Sequence, residues 1–322
     1  MKLGYEDKHI LITGGTGFIG SHLVKELVKR NARVFLLEDL SSNFWRLKGY
    51  ENNTYIKYSK SWKYDDLRYL LDEIKPDIAF HLRALLQRNR EEKSPEKLFK
   101  FNFEETQNLI SAMEVSDVKI FIHVGTIAEY GNNMNALSEN DVPEPNSFYG
   151  QSKLASSLWL HELIKDKGFP AAILRLSVVY GAYQNPHDYL IPNIIKNCLI
   201  GKDVVIPSSG TQKRDPLYIA DAIEGLLLAG LQEKATGEII NLGLGKAITV
   251  LEIANIINEK LGSPITINTS EKKDISEKTQ DRWHDISKAK EILSWIPSTS
   301  ISDGLVETLN WYNVNRKILG VN

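Results

Sequence analysis

Tyr149 and Lys153 stand four residues apart in SFYGQSKLASS, just over one helical turn, so a phenol and an ammonium would share one face. Such a pair can move a proton, or it can be two amphipathic side chains on an ordinary helix, and the spacing alone allows both. A second chemical feature lies near the start of the chain. Gly14, Gly17 and Gly20 recur at every third residue, and Gly15, Gly17 and Gly20 satisfy G-x-G-x-x-G, between the apolar run ILIT and an amphipathic pattern entered through Phe18 and Ile19. Glycines there permit a tight turn and close backbone approach, and the N-terminus of the following helix offers N–H groups to a diphosphate. Glu38 ends the next β-rich run, VFLLEDL, where a carboxylate accepts from both hydroxyls of an adenosine ribose and repels a 2′-phosphate. The expected dinucleotide is therefore NAD rather than NADP. Asp39 beside it also fits a cap, and Arg46 leaves some room for phosphate.

A scaffold must bring these distant segments together, and the hydrophobic periodicity supplies one. HILITGG, RVFLLEDL, DIAFHL, KIFIHVG and AAILRLSVVYG read as strands, separated by helical patterns at Ile19–Val28, DLRYLLDEI, FNFEETQNLISAM and the segment after Tyr149. This alternation implies an α/β fold, a Rossmann-type doubly wound parallel sheet over residues 1–180. Residues 181–322 form a smaller C-terminal substrate-binding lobe, marked by Pro186, Pro192, Pro207 and Pro216 and ending in two helices separated by Pro297. The helix and strand over residues 216–243 are expected to return to the first lobe's sheet.

Composition removes several classes of function. The 322 residues include 39 basic and 41 acidic side chains, a formal charge of −2, so nothing draws the chain globally to nucleic acid or an anionic membrane. Cys198 is the sole cysteine and lies in the apolar IIKNCLIGK, which excludes an intrachain disulfide and a thiolate cluster. The 7 histidines lack ligand-like spacing such as H-E-x-x-H, no metal is expected, and His81 and His123 read as structural. No apolar run reaches about 18 residues, and MKLGYEDKHILITGG lacks a signal-peptide pattern. A soluble protein of the reducing cytoplasm is expected.

The segments GGTGFIG, HVGTIAEYG, YGQSK and LRLSVVYG, in this order and spacing, resemble the extended short-chain dehydrogenase/reductases that modify nucleotide sugars. The resemblance runs nearly end to end and includes GTQKRDPLYIADA and RWHDISKAKEILSWIP, similar to substrate-lobe segments of sugar-nucleotide epimerases and dehydratases. It implies that Tyr149 is the acid/base, that Lys153 favours the phenolate and holds the nicotinamide ribose, and that Thr126 hydrogen-bonds the reacting oxygen of the substrate. A secondary alcohol loses its hydroxyl proton as hydride leaves carbon, and a tyrosine of pKa about 10 is a poor base at neutral pH unless nearby positive charge lowers that value. The resemblance further implies that Arg214 and Arg282 clamp a nucleotide sugar's diphosphate, for which guanidinium forks are suited. Read alone, each also fits a surface salt bridge with Asp215 or Asp285. Leu82, Arg83 and Asn102 join the cofactor-binding set on the same basis, although Asn102 by itself equally fits a helix cap.

Departures from the family pattern narrow the reaction. Dehydratases follow the threonine with Asp and Glu, and related decarboxylases have an acid at the second position, whereas Ile127 and Ala128 stand here. Glu129 is the nearest acid, and its place one residue along is expected to turn it elsewhere. Arg83 replaces a small residue beside the cofactor, where it could approach a diphosphate or an acidic substrate, or be a solvated arginine beside Arg88 and Arg90. Trp62, in Ser61-Trp62, stands where an Asp-Ile pair often meets adenine, and Val178 replaces a frequent asparagine. The leading expectation is C4 epimerisation of a nucleotide-bound hexose through a 4-keto sugar. The same three residues serve a nucleotide-sugar 4-dehydrogenase or 4-keto-sugar reductase, and a non-catalytic dinucleotide sensor is the alternative outside enzymes. The resemblance also implies a homodimer through TQNLISAM and LASSLWLHELI, whose apolar faces fit packing on the sheet equally well.

Overall fold

The computed structural model describes residues 4–86, 94–131, 135–187, 189–206, 209–261, 265–269 and 281–319. Continuous apolar runs become strands buried on both faces, as a parallel sheet covered by helices requires. His9–Thr13 (β1) and Ile78–His81 (β4) are nearly or wholly enclosed, and so is Ala171–Leu176 (β6). Together with Arg33–Asp39 (β2), Thr54–Ser59 (β3) and Ile120–Thr126 (β5) they form a sheet of order β6-β5-β4-β1-β2-β3, to which Ile239–Leu242 adds beyond β6. All six pairings are parallel. The chain runs outward from β1 to β3 and then crosses back to β4 on the other side of β1. Their carboxyl ends flank a topological switch point, where such sheets bind ligands.

The helix Phe18–Lys29 (α1) buries Leu23, Val24 and Leu27 against one face of the sheet, together with Ile223 and Leu226 of the helix Ile219–Ala229. The other face is covered by Tyr64–Ile74 (α2), Glu105–Met113 (α4) and Phe148–Lys167 (α5) through Leu67, Leu71, Leu109, Met113, Leu160 and Leu163. The short helix Pro95–Phe99 (α3) runs into α4 through a π-helical turn, Lys100–Glu104. Such turns insert an extra residue and often mark functional places.

A separate apolar cluster holds the smaller lobe: Ile194 and Ile195 meet Ile253, Ile257, Leu305 and Leu309, and Cys198 is buried there. The C-terminal segment does not stay in that lobe as the division at residue 181 implies. Ala289 and Leu293 of the helix Ser287–Leu293, with Trp295, pack in the sheet's own core, and Trp295 Nε1 donates to the Asp221 carbonyl at 3.1 Å. There they bury their apolar area beside the edge strand Ile239–Leu242. Pro207, one of the residues that marked the lobe in sequence, lies outside the described residues.

Candidate active site

The glycine loop leaves β1 in a backbone path that side chains would block. Gly14 has φ +72°, and a Cβ there would lie 2.8 Å from the Arg83 nitrogen; at Gly20 it would lie 2.1 Å from the Gly14 carbonyl oxygen. Gly17 is the N-cap of α1, and no side chain caps that terminus, so the first-turn N–H groups of Phe18, Ile19 and Gly20 are available to an anion. Glu38, buried at the end of β2, accepts from Thr16 N at 3.1 Å, Thr16 Oγ1 at 3.0 Å and Ser42 Oγ at 2.8 Å. Burial pushes its pKa up while those bonds oppose the rise. A carboxylate fixed beside a side-chain-free diphosphate cradle fits the adenosine ribose and diphosphate of NAD. Arg46 Nε donates to the Tyr183 carbonyl at 2.9 Å and Nη1 to the Thr16 carbonyl at 3.4 Å.

Across the crevice, β5 ends at Thr126, which caps the turn Ile127–Glu129 in a capping box. Thr126 Oγ1 accepts from Ala128 N at 3.2 Å, and Glu129 Oε1 accepts from Thr126 N at 2.9 Å. Because the hydroxyl oxygen already receives one N–H, its own O–H is left to donate. The helix α5 starts beside this turn, nucleated by Ser147 Oγ accepting from Gly150 N at 3.1 Å. Gly150 allows the approach, since a Cβ would lie 2.4 Å from the Ala128 carbonyl oxygen. Tyr149 is thereby brought into hydrogen-bond contact with Thr126. Lys153, buried one turn on, places Nζ 3.4 Å from His123 Nε2. His123 stacks on His81 with ring centroids 5.5 Å apart, and His81 is bonded to Thr13 at 2.7 Å and Thr106 at 2.9 Å.

Burial dominates the electrostatics of the pair. It lowers Lys153 to about 8 against the opposing pull of Glu129. It raises the Tyr149 phenol above its ordinary value, with Glu129 and Tyr189 adding to the rise and the Thr126 bond opposing it. The lowering anticipated from sequence is thus not a property of these side chains by themselves. It requires the positive charge of an oxidised nicotinamide next to them.

Three residues differ from their sequence reading. Glu129 does not turn away: it is fully buried beneath Thr126, pairs with Arg175 Nε at 2.9 Å, and acts on both Tyr149 and Lys153. The readable signal was T-x-x-E, Thr126 to Glu129, a capping-box pattern that folds the acid back onto the strand end. Asn102 is not a helix cap. It sits buried within the π-turn, accepts from Leu85 N at 2.7 Å, and donates to the Leu85 carbonyl at 3.0 Å and Ser152 Oγ at 2.9 Å, bracing the loop after Leu82 against α5. Arg83 is not solvated, and its fork is committed to protein rather than to a diphosphate or an acidic substrate. Nε and Nη2 bind Asp39 at 3.2 and 3.1 Å, and Nη1 binds Glu105 at 2.7 Å. Trp62 and Phe101 lie against the guanidinium at 3.8 and 3.4 Å from their ring centroids. Arg88 and Arg90 lie outside the described residues.

Arg214 and Arg282 meet at the mouth of the smaller lobe. The strand Lys213–Arg214 pairs antiparallel with Ile248–Thr249, Arg282 N donates to the Lys213 carbonyl at 3.3 Å, and Arg282 Nη2 donates to Asn146 Oδ1 at 3.0 Å. Burial, then the like charge of Arg214, lowers Arg282 to about 10, a strain that a bound anion would relieve. The acids considered as partners are otherwise employed. Asp215 accepts from the backbone of Leu244, Gly245 and His284, and Asp285 from Ser287. A cleft of about 230 Å³, lined by His187, Tyr189, Asn193, Ile194 and Val204 among others, opens beside Tyr189.

Residues 10–243 match the NAD dependent epimerase/dehydratase family. The protein named as the uncharacterized UDP-glucose epimerase YtcB of Bacillus subtilis is 32% identical over 311 residues, 93% of this chain and 96% of its own. A UDP-N-acetyl-alpha-D-glucosaminuronate decarboxylase of Bacillus cytotoxicus is 31% identical over 326 residues, 95% of this chain and 98% of its own. Among solved structures, UDP-glucuronic acid 4-epimerase from Bacillus cereus, in complex with UDP-glucuronic acid and NAD, superposes with a TM-score of 0.84 at 30% identity, covering 95% of this chain and 99% of that one.

Proposed function

Because this chain belongs to the NAD dependent epimerase/dehydratase family of extended short-chain dehydrogenase/reductases, we propose that it inverts C4 of a nucleotide-diphosphate hexose through a 4-keto sugar. The observation that carries this reading is the Thr126–Tyr149 contact beside Lys153, with apolar Ile127 and Ala128 where an eliminating or decarboxylating enzyme of the family places acids. NAD, when bound, supplies the acceptor for the C4 hydride and the positive charge that the half-buried tyrosine lacks. Tyr149 takes the proton from the C4 hydroxyl oxygen, and Thr126 donates its O–H to that same oxygen. After the keto sugar turns over, so that the opposite face of C4 would take the hydride back, Tyr149 returns the proton to the C4 oxygen. Arg214 and Arg282 hold the diphosphate meanwhile, so the intermediate stays tethered. Apolar Leu158 and Trp159, exposed on the outer face of α5, fit the expected homodimer.

One name among the similar proteins, a UDP-glucuronic acid 4-epimerase, supports C4 chemistry, and another, a UDP-glucose epimerase, supports epimerisation. The test is a panel of UDP-, GDP-, CDP- and dTDP-hexoses, with product stereochemistry read by NMR and NADH by absorbance. Inversion at C4 with no net NADH is expected. Stoichiometric NADH formation or consumption would replace epimerase by 4-dehydrogenase or 4-keto-sugar reductase, and NAD binding without turnover would revive the sensor. With the substrate so found, Arg282→Ala is expected to raise KM by about 10- to 100-fold, the worth of a charge-assisted phosphate contact, with kcat changed little. A fall in kcat at unchanged KM would remove Arg282 from the clamp.

A further inference from the structure

Among the described residues, Glu129 is the one buried acid that acts on both Tyr149 and Lys153, and the chain makes room for it. A Cβ at Gly125 would lie 2.6 Å from its Oε1, so glycine at the penultimate position of β5 is what admits the carboxylate under the strand end. One oxygen accepts from Thr126 N and the other from Arg175 Nε, and the Arg175 guanidinium lies over the Tyr130 ring at 4.4 Å. Both members of the pair are buried, Glu129 fully and Arg175 nearly so, and Arg175 Nη1 finds no further partner among the described residues.

We propose that Glu129 is a positioning residue that aims the Thr126 hydroxyl at the reacting oxygen and holds the Tyr149–Lys153 pair in its proton-loaded form. The proposal rests on the reading of this site as an alcohol–ketone centre. The capping box gives the first half: with its backbone N–H held by Glu129 and its side-chain oxygen accepting from Ala128 N, the Thr126 hydroxyl is fixed at the strand end beside Tyr149. Electrostatics gives the second half. Negative charge in a water-poor floor favours the ammonium at Lys153 and disfavours a phenolate at Tyr149, and Glu129 acts on each in that direction. A site biased toward its protonated form returns a proton to a ketone more readily than it removes one from an alcohol. Keto sugar would then be reduced promptly instead of escaping, which suits an enzyme that must finish with the same oxidation level.

The other ionisable groups around Glu129 leave this bias intact. Arg175, from β6, remains charged and supplies the counter-ion. Tyr130 is pushed up to about 12 by burial, His123 on β5 is held well below its ordinary value, and His284 is lowered to about 3, so all three stay neutral at physiological pH. Tyr189, from the smaller lobe, adds to the rise at Tyr149.

The test follows the Lys153 Nζ and Cε NMR signals of the full chain, stripped of dinucleotide, from pH 6 to 10, with Lys153→Arg to assign them. In Glu129→Gln the midpoint is expected to fall by about one unit, a tenfold change in proton affinity, and in Glu129→Asp to return toward the parent. An unchanged midpoint in Glu129→Gln overturns the proposal. If that variant fails to fold because Arg175 is left unpaired, the double variant Glu129→Gln/Arg175→Gln must give the same fall, since Arg175 is not among the groups acting on Lys153. Failure to find a nucleotide-sugar substrate would strike the proposed function and leave this titration readable; an unshifted lysine would strike only the role of Glu129.

Discussion

Tyr149→Phe is expected to lower turnover by about 10³-fold, within the 10²- to 10⁴-fold span of a lost general acid/base, while NAD affinity stays within about twofold of the parent. The substitution removes a hydroxyl and no bulk, and α5 keeps its Ser147 cap and its Gly150 contact with the 127–129 turn. Thr126 loses one hydrogen-bond partner but keeps the capping box that orients it. Single-turnover measurement of hydride transfer, alongside fluorescence titration of NADH, separates the two effects. Full activity in this variant would remove Tyr149 from the chemistry and with it the proposed C4 reaction. A parallel loss of cofactor affinity would instead mean that the phenol holds the nicotinamide end.

Arg83→Leu is expected to cost about 3 kcal/mol of stability, the low end for breaking a buried ion pair. The cost is large because the guanidinium joins four segments: Asp39 at the end of β2, Trp62 before α2, Phe101 in the π-turn and Glu105 at the start of α4. It is not larger because Asp39 keeps 35% of its side chain exposed, against 14% for Glu105. Burial already raises the Glu105 pKa and Arg83 opposes that rise. Without the arginine, the folded state binds a proton there more tightly than the unfolded chain does, so the deficit should shrink as pH falls through the Glu105 titration. Urea midpoints at pH 8 and pH 5 check both magnitude and sign. Arg83→Lys should recover only part of the loss, since an ammonium cannot fill a fork and a two-sided ring contact together. An unchanged midpoint in Arg83→Leu would show that Trp62 and Phe101 close the gap unaided.

Much of this arrangement was legible before any coordinates. Local chemistry carried it: the glycine spacing, the four-residue separation of Tyr149 and Lys153, and apolar runs that alternate with amphipathic ones. The parallel sheet follows from these because its central strands are apolar on both faces and need helices over each. Contacts between segments remote in sequence were not legible. Nothing in HLRALLQR says that the Arg83 side chain faces Asp39, 44 residues earlier, and so its ion pairs were not readable. The π-turn had no sequence mark either, since FNFEETQNLISAM reads as a plain helix while Asn102 sits where one extra residue swings it toward Leu85 and Ser152. Glu129 is the instructive case in between. Strand alternation turned it away, but the chain had already left the strand at Thr126, and the rule for a helical first turn applied instead of the rule for a pleat.

The return of the C-terminal segment to the sheet has a consequence for selectivity. Arg282 is bonded through its backbone to Lys213, His284 two residues later is tied to buried Asp215, and the helix that follows is seated in the core under Ile239–Leu242. Arg282, which we propose grips the diphosphate, is therefore anchored to the same frame that carries Tyr149, rather than mounted on a separate lobe. Such a frame works as a caliper, set to one separation between a diphosphate and a carbon. If Arg214 and Arg282 hold the diphosphate as proposed, sugars that differ at their rim would share this frame, and those whose reacting carbon falls at another distance from the phosphates would be refused by length.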